Sequence, residues 1–285
     1  MKRVLVAGAT GYLGQHMVKE LKKQNYWIRV LIRNENQKKI FKEIEVDEFF
    51  VSQVTQPETL VNITKDIDWV FTSIGITRQK DGLTYMDVDY QGNLNLLKEA
   101  EKTDVKLFTY VSVFGAEKVP NLKIIQAKEK FVSVLQQSSV NSCIIRPTGF
   151  FSDLKDILVM AKSKKVYLFG TGEYKINPIS GKDLAKVCVD SMELSKDEVN
   201  VGGPKIYTQN EIAQIAFDAL NIKGKIIHIP LWIRDITVFL LRTFTSSKFY
   251  GPYEFFLTTM TIDGDTDKYG EELLEDFYKQ EAKNV

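Results

Sequence analysis

The stretch that most constrains this chain is its beginning, Met1-Lys-Arg-Val-Leu-Val-Ala-Gly8-Ala9-Thr10-Gly11-Tyr12-Leu13-Gly14. Val4 to Ala7 form a short apolar run with the length of a buried strand. Three glycines follow at the spacing G-x-x-G-x-x-G. An amphipathic pattern then begins, with Leu13, Met17, Val18 and Leu21 on one side and Lys19, Glu20, Lys22 and Lys23 on the other. A dinucleotide diphosphate needs this arrangement: Gly8 for a tight turn, Gly11 for close backbone approach, Gly14 for close packing of helix on strand. The helix start then offers N–H groups and a positive dipole end to an anion. Gly8, Ala9, Thr10, Gly11, Tyr12, Leu13 and Gly14 are therefore expected to bind a nucleotide.

Apolar and amphipathic segments alternate through the first half. Trp27 to Ile32, Glu48 to Val54, Asp68 to Ile74, Lys106 to Val113 and Ser142 to Ile145 read as strands. Helices are expected from Pro57 to about Lys65, Met86 to Lys102 and Gln126 to Ser138. This order implies an α/β fold of Rossmann type, a doubly wound parallel sheet. The second half is less regular. Strands are expected at Lys165 to Phe169, Lys175 to Ile179, Val199 to Pro204 and Ile226 to Pro230, and helices at Asp183 to Met192, Asn210 to Leu220 and Glu271 to Lys283. Thr208 or Asn210 is positioned to cap the second of these helices. The division expected is a nucleotide-binding domain over 1–150 and a smaller substrate lobe over 151–285 that partly returns to the first core.

The residue after the second strand discriminates between cofactors. NAD-binding sheets usually carry an acid there for the ribose hydroxyls. This chain has Arg33 and Asn34, with Glu35 next. A guanidinium suits a 2′-phosphate, so NADP is expected, with NAD as the alternative. Gln53 and Val54 fall where such folds meet the adenine. Ser73, Ile74 and Gly75 end the fourth strand beside the cofactor. Thr77 to Thr84, with Arg78, Lys80, Asp81 and Gly82, reads as a mobile polar loop over the sheet edge.

The 285 residues are 44% hydrophobic and 26% charged, with a formal net charge of +1. Nothing in that balance calls for nucleic acid. Cys143 and Cys188 lie in apolar stretches and read as buried, reduced thiols of a cytoplasmic protein. His16 and His228 stand far apart without ligand companions, so no metal site is expected. No signal peptide is visible, and no run approaches the roughly 20 apolar residues of a spanning helix. Leu231 to Leu257 is rich in Trp, Phe, Leu and Tyr. It reads as a helical cover on the substrate lobe, or else as a wall for an apolar substrate or a surface for a partner or membrane.

Several motifs together resemble the atypical branch of the short-chain dehydrogenase/reductase superfamily. They are V-L-V-A-G-A-T-G-Y-L-G at the start, Val88-Asp89-Tyr90-Gln91-Gly92-Asn93, Arg146-Pro147-Thr148-Gly149-Phe150, Asn177-Pro178-Ile179-Ser180 before Asp183-Leu184-Ala185, and Asn200-Val201-Gly202-Gly203-Pro204. Within that branch the chain is similar to the NmrA-like group, which includes divinyl-chlorophyllide reductase-like proteins and complex I subunit relatives. The resemblance implies a nicotinamide cofactor across the strand ends, with Pro147, Thr148 and Phe150 lining its site. It also implies a Tyr-x-x-x-Lys pair after strand five, in which the lysine holds the ribose and the tyrosine moves a proton. Lys128 fits the lysine and Ser112 lies near the usual serine, so these two are the catalytic candidates. The tyrosine position falls on Ile124, which moves no proton. Tyr85, Tyr90 and Tyr110 are alternative donors.

Three functions follow in order. The first is an NADPH-dependent reductase acting on an apolar small molecule, as monomer or homodimer. The second is a non-catalytic NADP(H)-binding sensor or assembly factor. The third is a sugar-nucleotide epimerase or dehydratase, which depends most on the missing tyrosine.

Overall fold

The computed structural model describes residues 1–77, 79 and 82–283. Arg78, Lys80 and Asp81 of the expected loop lie outside the described residues. The chain runs β1 (Arg3–Ala7), α1 (Tyr12–Lys23), β2 (Trp27–Ile32), β3 (Glu48–Val51), β4 (Trp69–Thr72), α2 (Asn93–Ala100), β5 (Leu107–Val111), α3 (Lys123–Gln136) and β6 (Asn141–Pro147). It continues through α4 (Lys155–Ala161), β7 (Lys165–Phe169), β8 (Lys175–Ile176), α5 (Gly181–Glu193), β9 (Glu198–Val201), β10 (Tyr207–Thr208), α6 (Gln209–Ala219) and β11 (Lys225–Ile229). Three helices close it: α7 (Leu231–Phe244), α8 (Ser247–Thr259) and α9 (Leu274–Glu281).

Seven parallel strands form the central sheet in the order β3-β2-β1-β4-β5-β6-β9. Every residue of β4 and β5 is buried, as expected of strands covered on both faces. On one face α1 and α5 close over Val4, Val6, Ile28 and Phe71. On the other, α2 and α3 close over Leu5, Val70, Phe108 and Tyr110. Side chains that alternate along each strand thus feed two separate cores. A third core, around Phe151, Leu168, Phe217 and Tyr278, belongs to the second half of the chain. The capping box of α6 is in place: Thr208 Oγ1 accepts from Glu211 N–H (3.2 Å), and Glu211 Oε2 accepts from Thr208 N–H (2.7 Å).

Several boundaries differ from the sequence reading. β3 stops at Val51, so Gln53 and Val54 lie in the loop beyond it. Residues 57–59 make a single 3₁₀ turn instead of a helix to Lys65. The helix expected from Met86 opens as a π-helix over Met86–Gly92 and becomes α-helical only at Asn93. Asn93 Nδ2 donates to the Asp89 carbonyl (2.9 Å) and to the Ile74 carbonyl (3.2 Å), pinning the helix to the backbone just beyond β4. The run from Leu231 breaks into two helices, because Thr245 turns to extended backbone and its Oγ1 bonds back to Leu241 O (2.6 Å). No helix is long and apolar enough to cross a membrane, among the described residues.

Candidate functional site

The carboxyl ends of β1, β4, β5 and β6 converge above the sheet, and the glycine segment crosses this edge first. Gly8 has φ +80°, a left-handed conformation, and any Cβ there would meet the Ser73 backbone at 3.0 Å. Gly8 O accepts from Gly11 N–H (3.0 Å), closing the turn. A Cβ on Gly14 would lie 2.6 Å from the Ala9 Cα and closer still to the Gly8 carbonyl oxygen. Gly14 is therefore what lets α1 lean on the loop. Gly11 differs: a Cβ there would meet only Gly8 O, at 3.2 Å, and otherwise open space. No side chain caps the start of α1, and its first turn has no acid. These features fit a diphosphate, which would occupy the open side of Gly11 and accept from the first N–H groups of the helix.

The other loop residues divide. Ala9 and Leu13 are buried in the core, so they contribute backbone only. Thr10 O accepts from Gln15 Nε2 (3.0 Å). The Tyr12 hydroxyl accepts from Gly181 N–H (3.0 Å), and its ring packs edge-on to His16 and Phe150. Tyr12 thereby joins the glycine loop to α5. His16 also packs there, its pKa lowered by burial and the nearby Lys19. Neither histidine belongs to a metal-binding cluster, and no such cluster occurs among the described residues.

At the end of β2, Arg33 is exposed, and its N–H donates to Gln37 Oε1 (2.6 Å). Glu35 is paired with Lys38 at 2.6 Å. Gln53 is exposed, while Val54 packs over Gly92 and its carbonyl accepts from Asn95 Nδ2 (2.8 Å). Ser73 and Ile74 leave β4 beside Gly8, and Gly75 follows against Asp89 and Lys128. On the far side, Thr148 Oγ1 donates to Asn177 O (2.7 Å), Pro147 is buried, and Phe150 meets Tyr12.

Lys128 arrives from α3. Its ammonium lies 3.1 Å from Asp89 Oδ1 and 3.4 Å from the Tyr110 hydroxyl. The Asp89 contact is a charge contact rather than an aligned hydrogen bond, since Oδ1 has no hydrogen-bond partner. Asp89 Oδ2 accepts from Ile76 N–H (3.1 Å). A Cβ on Gly75 would lie 2.9 Å from Lys128 Nζ, so the ammonium sits against the strand end. Burial raises the Asp89 pKa, with Lys128 opposing. Burial by itself would lower the Lys128 pKa, but the Tyr110 oxygen and Asp89 outweigh it and hold it above the ordinary value. The lysine is thus a buried group whose ammonium form is favoured by Asp89 and the Tyr110 oxygen. Sequence reasoning missed Asp89 as a site residue. Its one legible signal was an acid four residues before Asn93, on the face of the helix that turns inward.

The tyrosine position is apolar in three dimensions as well. Ile124, one turn before Lys128, is buried with Tyr85, Ala116 and Ile125, and with Val113 and Phe255 packed against them. The alternative phenols are occupied. Tyr85 OH donates to Thr77 O (2.8 Å), and burial pushes its pKa up to about 12. Tyr110 is fully buried, and burial likewise pushes it to about 12. Tyr90 stacks under the Lys130 ammonium at 4.2 Å. Ser112 is held away from Lys128: its Oγ donates to Glu129 Oε1 (2.7 Å), whose carboxylate also pairs with Arg146 (2.7 Å). Arg146 bonds Glu198 as well (2.8 Å). This network borders a cavity of about 590 Å³ on the other flank of α3, lined by Gln126 and Asn200. Glu129 faces that cavity, whereas Lys128 faces Gly75 and Asp89.

Comparison with known proteins agrees with this geometry. Over residues 8–194, more than half the chain, the sequence matches the family described as NAD(P)H-binding. It is 29% identical to the chloroplastic divinyl chlorophyllide a 8-vinyl-reductase of Arabidopsis thaliana, an alignment covering 96% of this chain and 75% of that one. It is 30% identical to the photosystem II assembly factor Ycf39 of Guillardia theta, over 80% of this chain and 73% of the other. The NADPH-dependent quinone oxidoreductase QOR2 of Escherichia coli, solved with NADPH, shares the fold with a TM-score of 0.76 at 14% identity, over 97% and 99% of the two chains. The seven-stranded sheet, the glycine turn under α1 and these matches together place the chain in the NAD(P)H-binding family.

Proposed function

We propose that the protein is an NADPH-dependent reductase that delivers hydride to an activated carbon–carbon double bond or quinone-like acceptor of apolar character. The observation that carries this reading is the pairing of an intact dinucleotide cradle with Ile124 where a proton-donating tyrosine would stand. A bound nicotinamide cofactor supplies the hydride. Backbone amides of Gly11 to Leu13 hold the diphosphate, and Arg33 meets the 2′-phosphate with fork geometry and permanent charge. Glu35 is engaged by Lys38 and leaves the ribose edge to the guanidinium, which favours NADPH over NADH. Lys128, fixed by Asp89, presents its ammonium to the ribose. Tyr85 and Tyr110, both with raised pKa values, are poor acids, so simple ketone reduction is disfavoured. Water supplies the proton that completes reduction of a conjugated acceptor. The domain division at about residue 150 and the lining roles of Ser73, Ile74, Gly75, Gln53, Val54, Pro147, Thr148 and Phe150 belong to the same proposal.

The test is oxidation of NADPH in the presence of a panel of quinones, enones and vinyl-substituted aromatics. Turnover of at least one class, with simple ketones inert, is the expected result. Binding of NADPH with no turnover across the panel favours the second reading, a non-catalytic assembly factor. The exposed apolar helices α7 and α8 give that reading its own support.

A further inference from the structure

The helices α7 and α8 face the wrong way for a simple cover. None of the fourteen residues of α7 is buried. Its outward side carries Trp232, Ile236, Phe239 and Leu240, at the i, i+4, i+7, i+8 spacing that normally marks a core-facing stripe. α8 repeats the pattern outward with Phe249, Tyr253 and Phe256. Between them, at the tip of the hairpin, Phe244 is 77% exposed.

We propose that this hairpin seats its outer face in the interfacial layer of an anionic lipid bilayer, lying in the membrane plane. The side-chain chemistry is that of an interfacial helix: mostly aromatic, with Trp232 and Tyr253 able to keep a polar edge in the headgroups. The charges fit the same surface. Arg242 and Lys248 flank the tip on either side of Phe244, with Phe249 next to Lys248, and both cations are exposed. The carboxylate of Glu254 is buried and paired with Arg242, and Asp235 is held by Arg234 at 2.6 Å. Asp87, hydrogen-bonded to Thr84 (2.7 Å), faces Lys248. The segment from Leu231 to Thr259 carries three cations against two acids, one of the acids being buried. Because Glu254 lies buried beneath Arg242, the Arg242 guanidinium and the Lys248 ammonium are the hairpin's outward charges at the tip, where they can meet phosphate headgroups.

The same hairpin touches the site. Gln79 Nε2 donates to Ser247 O (2.9 Å), Lys248 Nζ donates to Gly82 O (2.6 Å), and the Tyr85 ring lies against Gly251. Phe255, on the inner side of α8, packs beside Ile124. A membrane-seated hairpin would thus stand between the lipid phase and the Ile124 side of α3, a route for an apolar substrate. That last step rests on the reductase reading; the docking itself does not.

The experiment is co-sedimentation of the full chain with vesicles of phosphatidylcholine alone and of phosphatidylcholine with one-quarter phosphatidylglycerol. NADPH binding and thermal unfolding are measured on the same samples. The wild type is expected to sediment with the phosphatidylglycerol vesicles and more weakly with the neutral ones. Phe239→Ser/Phe244→Ser/Phe249→Ser is expected to stay in solution while melting and binding NADPH like the wild type. Lys248→Glu should weaken partitioning on the anionic vesicles by roughly thirtyfold and leave the neutral ones unaffected. Three outcomes overturn the proposal: wild type left in the supernatant with both vesicles, a triple variant that sediments like wild type, or a dimer in light scattering that the triple substitution dissolves without any vesicle binding. Failure to bind NADPH would count against the reductase reading and leave docking standing.

Discussion

Substituting Gly14 by alanine sets two effects of opposite sign against each other. Within a helix interior, alanine is favoured over glycine by about 1 kcal/mol. At Gly14, however, the new methyl would lie 2.6 Å from the Ala9 Cα and nearer still to the Gly8 carbonyl oxygen. Both obstacles are backbone, held by the left-handed turn at Gly8, so no side-chain rotation relieves them. Overpacking of this kind costs about 3 kcal/mol at the upper end of its usual range. The net expectation is a loss of about 2 kcal/mol, or a fall in Tm of roughly 3–4 °C for a chain of 285 residues. Gly11→Ala is the control. Its backbone is extended, with φ −75° and ψ 173°, and its methyl meets one atom at 3.2 Å. It should melt like the wild type and yet lose NADPH affinity, because the methyl enters the space left for the diphosphate. Urea unfolding and titration calorimetry on both variants separate the two terms. Gly14→Ala equal to or more stable than wild type would refute the close-packing account. Gly11→Ala with undiminished NADPH affinity would refute the placement of the diphosphate.

Arg33→Glu should raise the Kd for NADPH by about ten- to a hundredfold through loss of a charge-assisted contact, while NADH binding changes little; an equal effect on both cofactors in calorimetry would remove Arg33 from the 2′-phosphate. Lys128→Met strands the buried Asp89 carboxylate and should cost about 3–5 kcal/mol near neutral pH, read by urea unfolding. Asp89 has a folded pKa raised above the ordinary 3.8, so the stability of that variant should be best preserved below that value and fall as pH rises through the folded pKa; a flat profile from pH 4 to 8 would show that the carboxylate is not isolated. Thr208→Ala removes one half of the α6 capping box and should cost about 1 kcal/mol, and an unchanged urea midpoint would mean the cap is replaced by solvent.

Much of the fold was legible because its signals are local. The apolar run of β1, the glycines and the stripe of α1 are neighbours in sequence, and a strand–turn–helix unit follows from backbone sterics and burial alone. Thr208, one of the two residues expected to cap α6, and both buried cysteines were readable for the same reason. The π-turn at Met86–Gly92 was not, because Asn93 reaches across to the Ile74 carbonyl just beyond β4. The candidate site divides in the same way. Gly8, Gly11 and Gly14 could be placed from spacing, and the loss of the tyrosine was visible at Ile124. Asp89 could not be assigned, since its partner Lys128 stands 39 positions further on, and only the packing of α3 against the π-turn brings the two charges together in a dry interior. Composition showed that Leu231 to Leu257 is apolar, but periodicity cannot say which way a stripe points. The tertiary structure turned it outward, because the inner side of α8 already meets Tyr85 and the cluster around Ile124 through Gly251 and Phe255.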